Sequence, residues 1–226
     1  GYTTLMATAD VPAAGKRDRD IRNQLAVPFR FTPEVILQCA LNPRWALTSL
    51  KHGTPNVANY ADLLQSATSY ADVQKTLITP GFTWEDLKKL RERWKGKLLV
   101  KGILHAQDAV ACAKLGCDGI VVSNHGGRQV AFGPPTIEAL PAIAEAVAGR
   151  MTIVLDSGIR RGADILRAKA LGADFAFAGR AFAYGVGAGG DAGAQRAFAI
   201  LQLELVRALG QLGISSYNAV GRSELS

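Results

Sequence analysis

Gly119-Ile120-Val121-Val122-Ser123-Asn124-His125-Gly126-Gly127-Arg128-Gln129 joins a short apolar run to a polar turn with paired glycines. An apolar run of this length, bounded by polar residues, reads as a buried strand of a parallel sheet. A strand that ends in such a turn is a place for chemistry. An imidazole takes up and returns a proton near neutral pH. A guanidinium grips a carboxylate through two parallel hydrogen bonds, and two glycines let backbone and ligand approach closely. The stretch predicts a strand end that holds an acid anion and moves a proton beside it.

Outward from that strand the chain repeats itself. Gly102, Asp108, Leu115, Gly116 and Asp118 recur as Gly158, Asp164, Leu171, Gly172 and Asp174, each 56 positions later. The same offset maps Leu98-Leu99-Val100 onto Val154-Leu155-Asp156, and Ser123-Asn124 onto Gly179-Arg180. A fixed offset across strand and helix indicates a duplicated unit. Each copy reads strand, loop, helix, strand: 97–101, 106–115 and 119–123, then 152–155, 163–171 and 175–178. A helix over 136–148 joins the copies, and a last helix over 192–212 carries Phe198, Leu201, Leu205 and Leu209 at helical spacing. With a first strand over 3–9, five strands are read.

Strands alternating with helices predict a parallel sheet with right-handed crossovers. The polar residues lie just after the strands, so they gather at the carboxyl ends. That is the active face of a (β/α)₈ TIM barrel; a doubly wound open sheet places ligands similarly and is the alternative. A closed barrel has eight strands, so the first three βα units are expected to be absent from this chain. The whole chain, 1–226, is then one barrel domain. Residues 27–80 form an insertion after the first strand, in which Thr32-Pro33-Glu34 starts a short helix over 35–41 and Asn42-Pro43 breaks it.

Composition narrows the partners. The net charge of +7 favours anionic ligands. The basic residues are scattered without interleaved aromatics, so no nucleic-acid platform is expected. No apolar run reaches the roughly eighteen residues of a membrane span. Cys39, Cys112 and Cys117 match no zinc spacing and read as buried thiols of a reducing compartment.

Lys101-Gly102-Ile103, the 123–129 stretch, Asp156-Ser157-Gly158-Ile159-Arg160-Arg161-Gly162 and Gly179-Arg180 resemble the FMN-dependent α-hydroxy-acid oxidoreductases. Thr8-Ala9-Asp10-Val11-Pro12, Gly15-Lys16-Arg17 and Asp20-Ile21-Arg22-Asn23 fit as well, in the family's order. The insertion, with Asn42-Pro43-Arg44-Trp45 and 52–59, is most similar to the mandelate and respiratory L-lactate dehydrogenase branch. The resemblance implies the later part of an FMN-binding barrel, strands four to eight, and oxidation of an (S)-2-hydroxy acid to a 2-keto acid.

It also implies roles. His125 is the base and Asp10 stabilises its imidazolium. Arg128 binds the substrate carboxylate, assisted by Arg17. Lys101 faces the pyrimidine side of the flavin, where negative charge develops, and a lysine at a buried strand end is costly unless it meets an anion. Thr8 and Ser123 bond the flavin ring. Asp156, Ser157, Gly158, Arg160, Gly179 and Arg180 hold the phosphate end, in the loops after the last two strands. Ala131 stands where many relatives carry an aspartate, which removes a hydrogen bond that would brace this loop. The electron acceptor is a quinone or O₂. A homo-oligomer is expected, in the cytoplasm, with peripheral membrane contact through 30–64. The rival readings are an inactive barrel remnant or interaction module, and a different FMN or phosphate barrel such as an isomerase.

Overall fold

The computed structural model describes residues 1–13, 18, 22–23, 32–53, 81–130 and 132–225. The chain divides into two compact units, 1–12 with 81–226, and 13–80. The insertion expected over 27–80 falls within the second of these, which begins earlier, at Ala13.

The first unit is built on β1 (Thr4–Thr8), β2 (Lys97–Ile103), β3 (Gly119–Val122), β4 (Thr152–Leu155) and β5 (Phe175–Ala176). All pairings are parallel and the strands lie in the order β1-β2-β3-β4-β5. Right-handed crossovers between neighbours that never reverse direction put the crossover helices of this unit on one face. A doubly wound sheet needs a reversal in strand order. Strand order therefore decides for the barrel, five strands of which the described residues supply.

Alternation along the strands matches that one-sided cover. Leu98, Val100, Ile120, Val122, Ile153 and Leu155 all enter one buried core with Leu87, Ala109, Cys112, Leu140 and Ile143 from the helices. Burying each large aliphatic side chain stabilises by about 1.5–3 kcal/mol. The alternate positions Thr8, Lys101, Ser123 and Asp156 belong to the opposite face, so the pleat that buries the core also presents the polar set.

The covering helices are held by local chemistry. Thr83 and Asp86 form a reciprocal cap at the start of α3 (Trp84–Arg93), an element the sequence reading did not include. α4 (Ala106–Lys114) follows β2, α5 (Thr136–Val147) precedes β4, and α6 (Gly162–Ala170) precedes β5. In the second unit, α1 (Pro33–Leu41) is capped by Thr32 as expected. Asn42-Pro43 breaks the helix as expected: Asn42 closes α1 after Leu41, and Pro43, with its fixed φ and no N–H to lose, opens a second helix that the sequence reading did not include, α2 (Pro43–His52).

The last helix also departs from expectation. α7 spans Arg180–Gln211, with non-helical backbone at Gly189 and Gly190. The expected helix over 192–212 is its second limb. The first limb is rich in glycine and alanine and carries no apolar period to read.

The duplication is real but one step out of register in its strands. Leu99 pairs with Gly119 where Val154 pairs with Phe175. Leu98-Leu99-Val100 therefore corresponds to Ile153-Val154-Leu155, not to Val154-Leu155-Asp156. The second copy has one more residue between strand and glycine, so Lys101 matches Asp156, Gly102 matches Gly158, and Ser157 is the extra residue. Asp118 and Asp174 play the same part in each copy. Their carboxylates accept the N–H of Leu98 at 3.0 Å and of Ile153 at 2.9 Å, clamping the start of the preceding strand.

Candidate active site

Five polar side chains converge at the carboxyl ends of β1 to β4. Asp10 follows β1 and lies against β2, where a Cβ on Gly102 would come within 2.5 Å of the Asp10 Cβ. Gly102, at φ +104°, is the residue that permits this approach. Both Asp10 oxygens stand 3.2 Å from His125 Nδ1. With Nδ1 so engaged, no partner holds His125 Nε2 among the described residues. His125 is about one-third exposed and Asp10 about one-eighth (33% and 12%), so the pair is shielded on the carboxylate side and open on the imidazole side.

Lys101 lies between two carboxylates. Its Nζ is 3.8 Å from Asp10 Oδ2 and 3.5 Å from Asp156 Oδ2, and donates to Ser123 Oγ at 3.0 Å. Half-buried charges persist only when paired in this way. Ser123 is fully buried and donates to Asp156 Oδ2 at 2.6 Å. Its hydroxyl also accepts the His125 N–H at 3.1 Å. All its bonding capacity is spent inside the protein. Ser123 thus anchors the Lys101 ammonium and ties it to Asp156.

The turn after β3 is a short 3₁₀ segment, His125–Gly127, in which His125, Gly126 and Gly127 have φ of +56°, +67° and +71°. Glycine takes that conformation freely; a histidine does so only under constraint. Asn124 supplies part of it, accepting the Gly127 N–H at 3.1 Å and donating to the Pro134 carbonyl at 3.3 Å. Arg180, the first residue of α7, donates to the Gly126 carbonyl. Thr136, buried at the start of α5, donates to the Ser157 carbonyl at 3.2 Å. Asn124 and Thr136 were not among the expected site residues. Asn124 lies inside the 119–129 stretch, and Thr136 opens the helix expected after Pro134-Pro135.

A cavity of about 310 Å³ opens beside this turn, lined by Asn124, Gly126, Gly127, Ser157, Gly158 and Arg180 among others. Added Cβ atoms at Gly127, Gly158 and Gly179 would meet nothing within 4 Å, so the backbone faces open space there. Open glycines next to a guanidinium and a helix start suit a phosphate-sized anion.

The remaining expected residues lie outside this network. Thr8 is exposed and pairs in register with Lys101. Arg128 and Arg160 are exposed, and no side-chain partner holds either among the described residues. Arg17 and Ala131 lie outside the described residues. Among the described residues no cluster of three or more His, Cys, Asp or Glu could hold a metal ion.

The family model for FMN-dependent dehydrogenases matches residues 1–226. (S)-Mandelate dehydrogenase of Pseudomonas putida is 42% identical over 218 residues, covering 94% of this chain and 54% of the relative. L-Lactate dehydrogenase of Pseudomonas paraeruginosa (strain DSM 24068 / PA7) is 39% identical over 229 residues, covering 100% and 60%. The crystal structure of the monotopic membrane protein (S)-mandelate dehydrogenase superposes with a TM-score of 0.93 at 37% identity, covering 99% of this chain and 60% of that one. A mutant flavocytochrome b2 with pyruvate bound superposes with a TM-score of 0.72 at 26% identity, covering 98% and 47%. The chain spans about half the length of the curated relatives it matches.

Proposed function

Because the chain belongs to the FMN-dependent dehydrogenase family, we propose that it carries the chemical centre for oxidation of an (S)-2-hydroxy acid, lactate- or mandelate-like, to the 2-keto acid. The observation that carries this reading is the imidazole of His125 held by Asp10 on one nitrogen and open on the other.

His125 accepts the substrate proton at Nε2. The Nδ1–H is donated to Asp10, whose negative charge stabilises the imidazolium as it forms. Arg128, exposed three residues on, takes the substrate carboxylate, and Arg17 assists it. FMN, when bound, would supply the acceptor for the two electrons and the second hydrogen that leave the alcohol as the keto acid forms. The residues present fit that group. Lys101, fixed by Ser123 and two carboxylates, offers a positive charge to the electron-rich side of the ring, with Thr8 beside it in register. Asp156, Ser157, Gly158, Arg160, Gly179 and Arg180 would hold the phosphate end, the glycines offering backbone room and the arginines charge.

The electrons pass on to a quinone or O₂. We place the chain in the cytoplasm as a homo-oligomer in peripheral contact with the inner face of the membrane. Supporting that contact, α1 and α2 leave Ile36, Leu37, Leu41, Trp45, Leu47 and Leu50 exposed. No helix among the described residues is long and apolar enough to cross a membrane.

The test is spectroscopic. The purified chain, loaded with FMN and kept free of O₂, is mixed with (S)-mandelate or L-lactate. Loss of the oxidised-flavin absorbance is expected, and its loss should vanish in His125→Gln while FMN stays bound. Wild-type protein that takes up no FMN, or a His125→Gln variant that bleaches at full rate, overturns the reading.

A further inference from the structure

We propose that Asp156 and Ser157 are positioning residues for the base: one carboxylate oxygen, acting through two serine hydroxyls, fixes the consecutive peptide N–H groups of His125 and Gly126. The inference rests on the reading of His125 as the base.

The proton count makes the arrangement directional. A serine hydroxyl has a single proton to give. Ser123 Oγ accepts from the His125 N–H at 3.1 Å and from Lys101 Nζ at 3.0 Å, so its proton goes to Asp156 Oδ2 at 2.6 Å. Ser157 Oγ accepts from the Gly126 N–H at 2.9 Å, and its proton goes to the same Asp156 oxygen at 3.4 Å. The two peptide groups that set the direction of the imidazole are thereby tied to one atom on the neighbouring strand end. Arg180 donates to the Gly126 carbonyl as well.

Backbone conformation shows why such a tie is needed. His125 sits at φ +56° and Ser157 at φ +78°, both unfavourable for residues with a Cβ. Conformations of this kind persist only where the surroundings over-determine them. Glycine at 157 would reach the same backbone more easily, yet it would have no hydroxyl to offer. Ser157 is also the extra residue of the second repeat, so this contact has no counterpart in the first. A serine that served only the phosphate end would have no reason to spend its oxygen on the Gly126 N–H.

The test uses Ser157→Ala and Ser157→Gly in the FMN-loaded chain. Alanine keeps the backbone strain and removes the hydroxyl; glycine removes both, so its melting temperature should not fall. In both variants hydrogen exchange at the Gly126 amide should quicken about tenfold, the scale of one lost hydrogen bond. Turnover of the FMN-loaded chain should fall several-fold with KM unchanged. Unaltered Gly126 exchange in both variants overturns the proposal, as does a loss of activity that follows loss of FMN. Failure of the base reading is separable: His125→Gln would then keep its activity while the exchange result at Gly126 stood.

Discussion

At the scale of single residues, the paired geometry of Asp10 and His125 makes the charge of Asp10 its useful property. Asp10→Asn keeps an oxygen that accepts the Nδ1–H but offers no negative charge to an imidazolium. Turnover should drop by about a hundredfold or more while FMN stays bound; a variant within twofold of wild type would remove Asp10 from that role. Arg160 makes the opposite kind of prediction. It is exposed, and among the described residues it is anchored through its backbone, whose N–H donates to Asp164 at 2.9 Å. Arg160→Ala should weaken FMN retention by about tenfold, the worth of one charge-assisted contact, without altering turnover of the loaded chain; equilibrium dialysis against FMN reads it. Lys101 was legible on its own because a lysine at a buried strand end is costly unless it meets an anion, whereas the roles of His125 and Asp10 were implied by the family resemblance of the stretches that hold them. Ser157 was read only as part of the phosphate loop, and Thr136 only as the start of a helix. A serine or threonine is ordinary anywhere in a loop, and its meaning here lies in a backbone angle and a partner one strand away.

At the scale of elements, the crossing of α6 and α7 is set by one glycine. A Cβ on Gly162 would stand 2.2 Å from the Leu205 nitrogen, and Glu204 accepts the Gly162 N–H at 2.9 Å. Gly162→Ala should push the helices apart and destabilise the fold by about 1–3 kcal/mol, read as a lower urea midpoint. The strand starts carry a pH signal. The Asp118 carboxyl is held below the usual carboxylate range, first by its hydrogen bond from Lys97, then by the Leu98 N–H, with Arg91 adding to it. A carboxyl lowered in the fold stabilises it above its unfolded value, about 3.9, and that contribution drains away as pH falls through the lower folded value. The urea midpoint of wild type should therefore drop below about pH 4. Asp118→Asn should start lower at pH 7 and lose part of that acid step. An acid step of equal size in both proteins would show that Asp118 is not its source. Most elements were legible because their apolar periods are clean. The slip of one residue between the repeats was not, since matching glycines and aspartates align the helices and say nothing of a residue inserted at the strand end.

At the scale of the whole molecule, strand order separates a barrel from a doubly wound sheet, and periodicity alone cannot supply it. The pattern names strands and helices but not their neighbours, which is why both architectures stood open until the pairings β1 to β5 were seen in sequence order. The second unit poses a question of another kind. Neither α1 nor α2 buries a residue, and α2 sets Arg44, Lys51 and His52 among exposed Trp45, Leu47 and Leu50. In a chain of net charge +7, such a surface suits the interface of an anionic bilayer, where apolar side chains enter the boundary and each basic residue adds about 1 kcal/mol. The chain should therefore sediment with vesicles containing anionic lipid and less with neutral ones, and added salt should weaken the binding without abolishing it. Replacing Leu47 and Leu50 together by aspartate removes apolar area and adds two negative charges, so the double variant should stay in the supernatant while its flavin still bleaches with substrate. Wild-type chain left in the supernatant with both kinds of vesicle would take the membrane surface away from α1 and α2, and a double variant that still sediments would place it elsewhere on the chain.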